Sequence, residues 1–579
     1  MFKKLLSVIL VLSMLLSFAA CSSRYSRRNR NDDDDDEELT EETVDYAEAK
    51  AEIEEEIQSL KEQLFTADDA EALELQKKLN ELENELIDIE IAMLEQPAET
   101  TYATEAITTA TTAEQTTKSP YISGTNIPTP GTIDISGDFN ILVSGNYVWN
   151  DFESIDYSDN VIDHAVYERN RLLSSNYGVE IVTDDVTQLA STTTPGNGPG
   201  FQKIYAEFMT GTSMYDAAAI GTYDVVALAN NGFLWNLKDV PGIDLSKEYW
   251  DQKAENDLSV LGKLYYTTGD IGVVNDKATH AILFNKDMVS DYALENPYEL
   301  VRSNQWTLEK FTSLVKRVGE DLNQNGLHDE NDVYGLVTWN DSLTAILGAA
   351  GEKIAGVNDN GEIELTLLNE RVVSLYDKFC NDLVFDFAHS YNYQYDSATG
   401  KATPSSEWNT NRDDMFLGNR ALFLMNTLSA VERYRDEEMD FGILPYPKLD
   451  DTQEYYGSEV SAYYSQFVCV PLVAENPERS GTVLELLAYY GNNHIVPAYY
   501  DTLLVGRYVR DVESADMLDI IRCSKVYDIG AFYKIGTINT QIGQMFVSRN
   551  SIEDIVFAFE SAAKSKVDHI NSFFQKLMY

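Results

Sequence analysis

Two kinds of residue cluster in this chain could do chemistry. The first is Asp321–Asp332, DLNQNGLHDEND. It sets oxygen side chains at its first (Asp321), third (Asn323), fifth (Asn325), ninth (Asp329) and twelfth (Asp332) positions, with Gly326 at the sixth and the carbonyl of Leu327 at the seventh. An oxygen shell around Ca²⁺ needs that spacing, with a glycine for the sharp turn. The competing reading is a surface turn made of residues that favour turns. The second kind lies where apolar runs end in aromatic, amide or carboxylate residues: Trp149 and Asn150, Tyr223 and Asp224, Asp270, Trp339 and Asn340, Asn426, and Glu459 with Tyr463. An aromatic face stacks on the C–H groups of a sugar while planar polar groups pair with its hydroxyls. Against this stand packing in the core for Trp339, and a surface aromatic beside a helix cap for Tyr223 and Asp224.

The elements that must position these residues alternate. Phe139–Val143, Val179–Val182 and Asp216–Ile220 are short apolar runs separated by segments with helical spacing, and Gly178 is a natural helix terminator. Strand, helix, strand of this length implies a parallel crossover, so the fold class is α/β. In open α/β sheets ligands sit beyond the carboxyl ends of strands, which is why the strand-end residues are singled out. Further strands are expected at Leu264–Asp270, Ala281–Phe284, Val333–Val337, Ala421–Met425 and Gln466–Val470. Thr307 is placed to cap a helix whose residues Leu308, Phe311, Leu314, Val315 and Val318 share one face. Tyr391–Asn411 reads as a weakly structured loop, and Pro477–Tyr490 and Ile552–Leu577 as helices.

The front of the chain differs in character. Met1–Ala20 has Lys3 and Lys4 ahead of an apolar run, a secretory signal too short and wrongly flanked for a membrane span. Residues 21–45 are an acidic tether containing DDDDDEE. In residues 46–96, Ile53, Ile57, Leu60 and Leu64, then Leu75, Leu79, Leu82, Leu86, Ile89 and Met93, step by three and four, a coiled-coil seam. Thr66 and Asp69 can open a second helix, giving an antiparallel hairpin; a longer helix that self-associates in parallel is the alternative. Residues 97–133 are rich in Thr, Ala and Pro and read as a flexible linker. The compact part is expected to be 134–579, enough for two lobes.

Acidic side chains number 96 against 43 basic ones, a formal charge of −53. Nucleic acid is therefore a poor partner. Four cysteines in 579 residues exclude a disulfide framework, and Cys380 and Cys469, in apolar surroundings, read as buried thiols. No G-x-S-x-G, H-E-x-x-H or phosphate-binding loop is present, and the six histidines are scattered.

The strand Ala281–Phe284, the Asn- and Pro-containing segment after it and the run WTLEKF from Trp306 resemble the signature of family 1 extracellular solute-binding proteins, the ligand-capturing partners of bacterial ABC importers. The resemblance implies a two-lobed, periplasmic-binding-protein-like fold with a hinge at Ala281–Phe284 and a second crossing at Gln466–Val470. Lobe 1 would then cover about 134–280 and 465–515, and lobe 2 about 285–460 and 530–579. It implies a binder and not an enzyme, one that captures a carbohydrate, an oligosaccharide by expectation, and passes it to permease subunits. Ala19 and Ala20 before Cys21 resemble the bacterial lipoprotein box, making Cys21 the lipid anchor on the extracellular face of the membrane. Asp332 stands where an EF-hand has Glu and resembles dockerin-type loops; a bound Ca²⁺ would be structural. A glycoside hydrolase using two carboxylates, or a binder of a peptide or polyamine, is the alternative.

Overall fold

The computed structural model describes residues 121–577, apart from 123–124, 126, 155–159, 189–192, 323, 325–328, 396–401, 435–436 and 505–511. The signal segment, Cys21, the acidic tether, the coiled-coil seam and most of the linker lie outside the described residues.

Among the described residues, two sheets organise the chain. The first is four-stranded, in the order Gln466–Cys469, Ala217–Gly221, Gly137–Val143, Val179–Asp185. Gly137–Val143 pairs in parallel with both of its neighbours, as the crossover pattern requires, and Gln466–Cys469 runs antiparallel at the edge. The crossover helix Val161–Tyr177 starts where the Asn160 side chain accepts from the Ile162 amide. It stops at Gly178, whose φ of 66° lets its N–H reach back to Leu173 and Ser174 carbonyls. The second sheet is six-stranded, with Phe441–Leu444, His280–Asn285, Ala421–Thr427, Val333–Thr338 and Gly319–Glu320 in order and Ala388–Ser390 pairing with Val333–Thr338. The two-lobed α/β architecture expected from the sequence is thus present.

The two runs expected as hinge crossings lie inside the sheets. All six residues of His280–Asn285 are buried, Ile282–Phe284 are paired on both sides within the second sheet and the others on one, and Gln466–Cys469 belongs wholly to the first. An apolar run buried on both faces is a central strand. The turning therefore falls on the residues just outside each run: Val274–Thr279 on the way out and Val460–Ser465 on the way back. These two crossings are stitched together. Thr279 bridges Val460, the Ser461 amide donates to the Ala278 carbonyl at 3.0 Å, and Asn275 exchanges two hydrogen bonds of 2.9 Å with the backbone of Gln466.

Three further expectations change. Leu264–Asp270 forms isolated bridges, Thr267 to Val468 and Gly269 to Trp250, in place of a regular strand. Tyr391–Asn411 contains the hairpin strands Tyr393–Tyr395 and Ala402–Pro404 and the start of the helix Trp408–Leu417. The linker folds onto the first lobe before residue 134: Ile127 is fully buried in the core and the Pro128 carbonyl accepts from the Tyr177 hydroxyl at 2.7 Å. No helix among the described residues is long and apolar enough to cross a membrane.

The helix Leu308–Val315 shows how sequence becomes packing. Thr307 caps it by accepting from the Lys310 amide, and Leu308, Phe311, Leu314 and Val315 are buried. They meet Trp306, itself fully buried, with ring centroids 5.5 Å from Phe311 and 5.8 Å from Phe423, and with Nε1 donating to the Pro445 carbonyl at 2.9 Å. Trp306→Ala is expected to cost about 3–5 kcal/mol, from the cavity and the stranded carbonyl. Urea denaturation followed by circular dichroism measures it; a loss below about 1 kcal/mol would show that this packing does not hold the second lobe.

Candidate functional site

Between the two crossings and the ends of the second-sheet strands lies a cavity of about 300 Å³. His280 begins its strand at one crossing, and Glu459, Ser461, Ala462 and Tyr463 stand at the start of the other. Asn340 and Asp341 follow the strand Val333–Thr338, Tyr223 opens the helix Thr222–Ala229, and Lys534, Asn539 and Gln544 come from the segment ahead of the last helix.

Among the described residues, buried side-chain polar atoms without a hydrogen-bond partner occur at several places in the interior, and five of them meet on this cavity. His280 Nδ1 and Nε2, Asn340 Oδ1, Glu459 Oε2 and Asn539 Oδ1 are all buried without a hydrogen-bond partner. His280 Nε2 stands 3.5 Å from Glu459 Oε2, and both residues are within a few per cent of complete burial. Burial pushes the imidazole down to about 3, so His280 is neutral at ordinary pH. Glu459 is driven well above the usual carboxylate range by burial first, then by Asp528 and Asp341. Burial also raises Asp341, half-buried on the same wall, to about 6. The Lys534 ammonium stands over the Tyr223 ring at 4.9 Å, and its pKa is lowered by burial. Unpaired buried polar atoms each cost free energy, so their convergence on one cavity marks a place built for hydrogen bonds to something else.

Of the strand-end residues singled out from sequence, Tyr223, Asn340, Glu459 and Tyr463 line this cavity. Trp149 lies in an aromatic row beside it: Trp149 and Tyr147 lie against Tyr464, which stacks on Trp339, which stacks on Tyr391, which stacks on Trp408. Trp339 is a buried member of that row, 6% exposed and outside the cavity lining, with its ring centroid 5.8 Å from that of His280 and its Nε1 without a hydrogen-bond partner.

Four others are corrected. Asn150 is used up locally, its amide donating to Asp185 at 2.8 Å and its oxygen accepting from the Phe152 amide at 2.9 Å. Asp224 accepts from the Gly198 and Phe201 amides, at 2.9 and 3.1 Å, and so caps the helix Pro199–Thr210. Asp270 pairs with Arg522 at 2.8 Å and accepts from Asn492 at 2.5 Å in a separate cleft. Asn426 lies inside the strand Ala421–Thr427, donating to the Tyr391 hydroxyl at 3.3 Å. A polar residue at a strand end can cap, brace or bind, and sequence position alone does not separate these roles. The cavity residues that sequence reasoning missed divide the same way. His280 and Asp341 adjoin residues that were singled out, whereas Lys534, Asn539 and Gln544 lie among Ile535, Ile538 and Ile542, whose helical spacing marks a buried face but not the polar residues between them.

In the cation loop, Asn323, Asn325, Leu327 and their neighbours lie outside the described residues. Asp332 is fully buried and accepts from the Leu322 and Asp329 amides, both at 3.1 Å, drawing the two ends of the loop together.

A carboxyl group raised on folding supplies stability that is complete below its unfolded pKa and is lost as pH rises toward the folded one. Glu459→Gln removes that loss, so the variant should gain stability over the parent as pH rises from about 4 to about 8, and be nearly unchanged at about pH 4. Parallel pH profiles of melting temperature for the two proteins would contradict the burial of this carboxyl.

No family model and no curated protein matches the chain. Among solved structures it is similar to a cyclo/maltodextrin-binding protein complexed with maltotetraose, at 12% identity over 74% of this chain and 97% of that one, with a TM-score of 0.48. It is also similar to an ABC substrate-binding protein from Listeria monocytogenes in complex with cycloalternan, at 13% identity over 76% and 99% of the two chains, TM-score 0.45. A third is a family 1 extracellular solute-binding protein from Bifidobacterium longum subsp. infantis, at 12% identity over 76% and 99%, TM-score 0.42.

Proposed function

We infer that this protein is an extracellular solute-binding lipoprotein of an ABC importer that captures a small carbohydrate between its lobes and hands it to a membrane permease. The observation that carries this reading is the set of buried, unpartnered polar atoms of His280, Asn340, Glu459 and Asn539 on one cavity at the crossings. A solute with several hydroxyls meets such a set with hydrogen bonds, while Tyr223 and Tyr463 offer ring faces to its C–H groups. Because His280 and Glu459 adjoin different crossings, a solute bonded to both favours one relative position of the lobes, and binding drives closure. The cavity volume suits a mono- or disaccharide better than the long oligosaccharide expected from the sequence. Cys21 would carry the lipid, and residues 46–133 would hold the lobes away from the membrane. The solute leaves chemically unchanged.

Titration calorimetry with mono- and disaccharides should find one class that binds, and a hundredfold excess over Kd should add about 2.7 kcal/mol of stability. Asn340→Ala should weaken binding about tenfold or more, the value of one lost buried hydrogen bond, while Asn150→Ala leaves it unchanged. Hydrolysis of the bound sugar on prolonged incubation would move the protein to the glycoside hydrolases, whose two carboxyl groups Asp341 and Glu459 would then supply.

We also propose that Asp321, Asn323, Asn325, Leu327, Asp329 and Asp332 hold one structural Ca²⁺. Calcium at millimolar level should raise the melting temperature and chelation should reverse the rise; Asp321→Ala should abolish the response. An identical melting temperature with and without calcium would reject the site.

A further inference from the structure

The cavity has a charge pattern that narrows its solute. Two carboxyl groups, Asp341 and Glu459, line it. Several other buried acids are answered: Asp528, behind Glu459, accepts amides from Ile354, Ala355 and Gly530 and lies near Lys353. Asp276 meets Lys525 at 2.8 Å, and Asp270 meets Arg522. Glu459 Oε2 has no hydrogen-bond partner among the described residues, and the neutral, acceptor-bearing ring of His280 stands 3.5 Å from it. Asp341 precedes the helix Ser342–Ala349 without capping it through its side chain. Around the two carboxyl groups stand Asp528 and Tyr376 on the Glu459 side, Tyr391 and Tyr464 on the Asp341 side, and Tyr223, Tyr446 and each other on both. Lys534 is the cation of the lining, and its charge rests on the Tyr223 ring. Buried carboxyl groups of this kind are stable either as neutral acids or beside a cation brought from outside.

We propose that the solute carries a protonated amine, as an amino sugar does, and that Glu459 with Asp341 forms the ammonium subsite. The inference rests on the reading of the cavity as the solute site and goes beyond it by naming the chemical class. His280, neutral and able to accept, takes a neighbouring hydroxyl or N–H of the same solute. Lys534 disfavours a second positive group at its end of the cavity, so a single amine is preferred to a chain of them. An arriving ammonium favours the charged form of Glu459, whose carboxyl burial otherwise holds well above the usual carboxylate range, so any proton it carries passes to solvent and binding is accompanied by proton release. The Asp341 share of the attraction is present above about pH 6 and lost as pH falls through that value.

Calorimetry on the whole protein tests this with glucosamine, galactosamine, their N-acetyl forms, the parent hexoses and spermidine, each in two buffers of different protonation enthalpy. The expected result is that a free-amine sugar binds at least about tenfold tighter than its N-acetyl form, with up to one proton released per solute at neutral pH. Glu459→Gln should remove both the preference and the release, and Asp341→Asn should reduce the preference alone. Equal or tighter binding of an N-acetyl or parent sugar, or binding of the amine without proton release, overturns the ammonium subsite and leaves the solute-site reading standing. Spermidine bound with proton release and no sugar bound would keep the ammonium subsite and remove the carbohydrate reading. Silence from every probe would overturn both.

Discussion

The stitched pair of crossings is the constraint on which the rest depends. The chain leaves the first sheet through Val274–Thr279 and returns through Val460–Ser465, and the reciprocal bonds between Asn275 and Gln466 hold these passages side by side. A third passage reinforces them. Lys525–Val526 pairs in parallel with Ser458–Glu459, and Lys525, only 9% exposed, places its ammonium 2.8 Å from Asp276 on the outward crossing. Removing one partner of such a buried pair strands the other charge, so these contacts fix register more than they add stability. The same three passages fix where His280 and Glu459 stand, and the position of the cavity follows from them.

The acids of the interior separate by whether the protein itself answers them. Asp224 and Asp528 accept backbone amides, and Asp270 and Asp276 have cations at 2.8 Å. Each of these does structural work with all or most of its hydrogen-bonding capacity. Glu459 is as deeply buried as any of them and has nothing comparable. A site that binds polar solutes must keep some polar atoms in reserve, at a cost in stability that the surrounding core offsets.

The fold was legible because its signals are periodic and local. Alternating apolar runs fixed the strands, Gly178 and Thr307 fixed helix ends, and the crossover between Gly137–Val143 and Val179–Asp185 follows from chain length and handedness alone. The crossings between the sheets lie a few residues outside the apolar runs because apolar character marks the strand interior, whereas the chain passes between the sheets at the residues just beyond it. Tyr223, Asn340, Glu459 and Tyr463 could be found because they follow strands or precede a crossing. Asn150, Asp224, Asp270 and Asn426 share that position and are braces or caps, a distinction that depends on contacts with residues such as Asp185, Gly198 and Arg522, far away in sequence.

The segment Lys534–Gln544 is the hardest case and the most instructive. Its buried Ile535, Ile538 and Ile542 fall at helical spacing, but that spacing does not mark the polar residues between them, and Lys534 and Thr537 hold left-handed backbone, with φ of 48° and 57°. Such conformations cost energy for residues with side chains and persist where surrounding contacts enforce them. Here Gly536 lies against Ala563 of the last helix, with no room for a Cβ, so the helix Ile552–Lys576 presses the turn into place. That pressure is what delivers Lys534 to the Tyr223 ring and Asn539 to the cavity. The cavity's third wall is thus set by a helix that itself contributes no residue to it, which is why reading strand ends alone found only the other two.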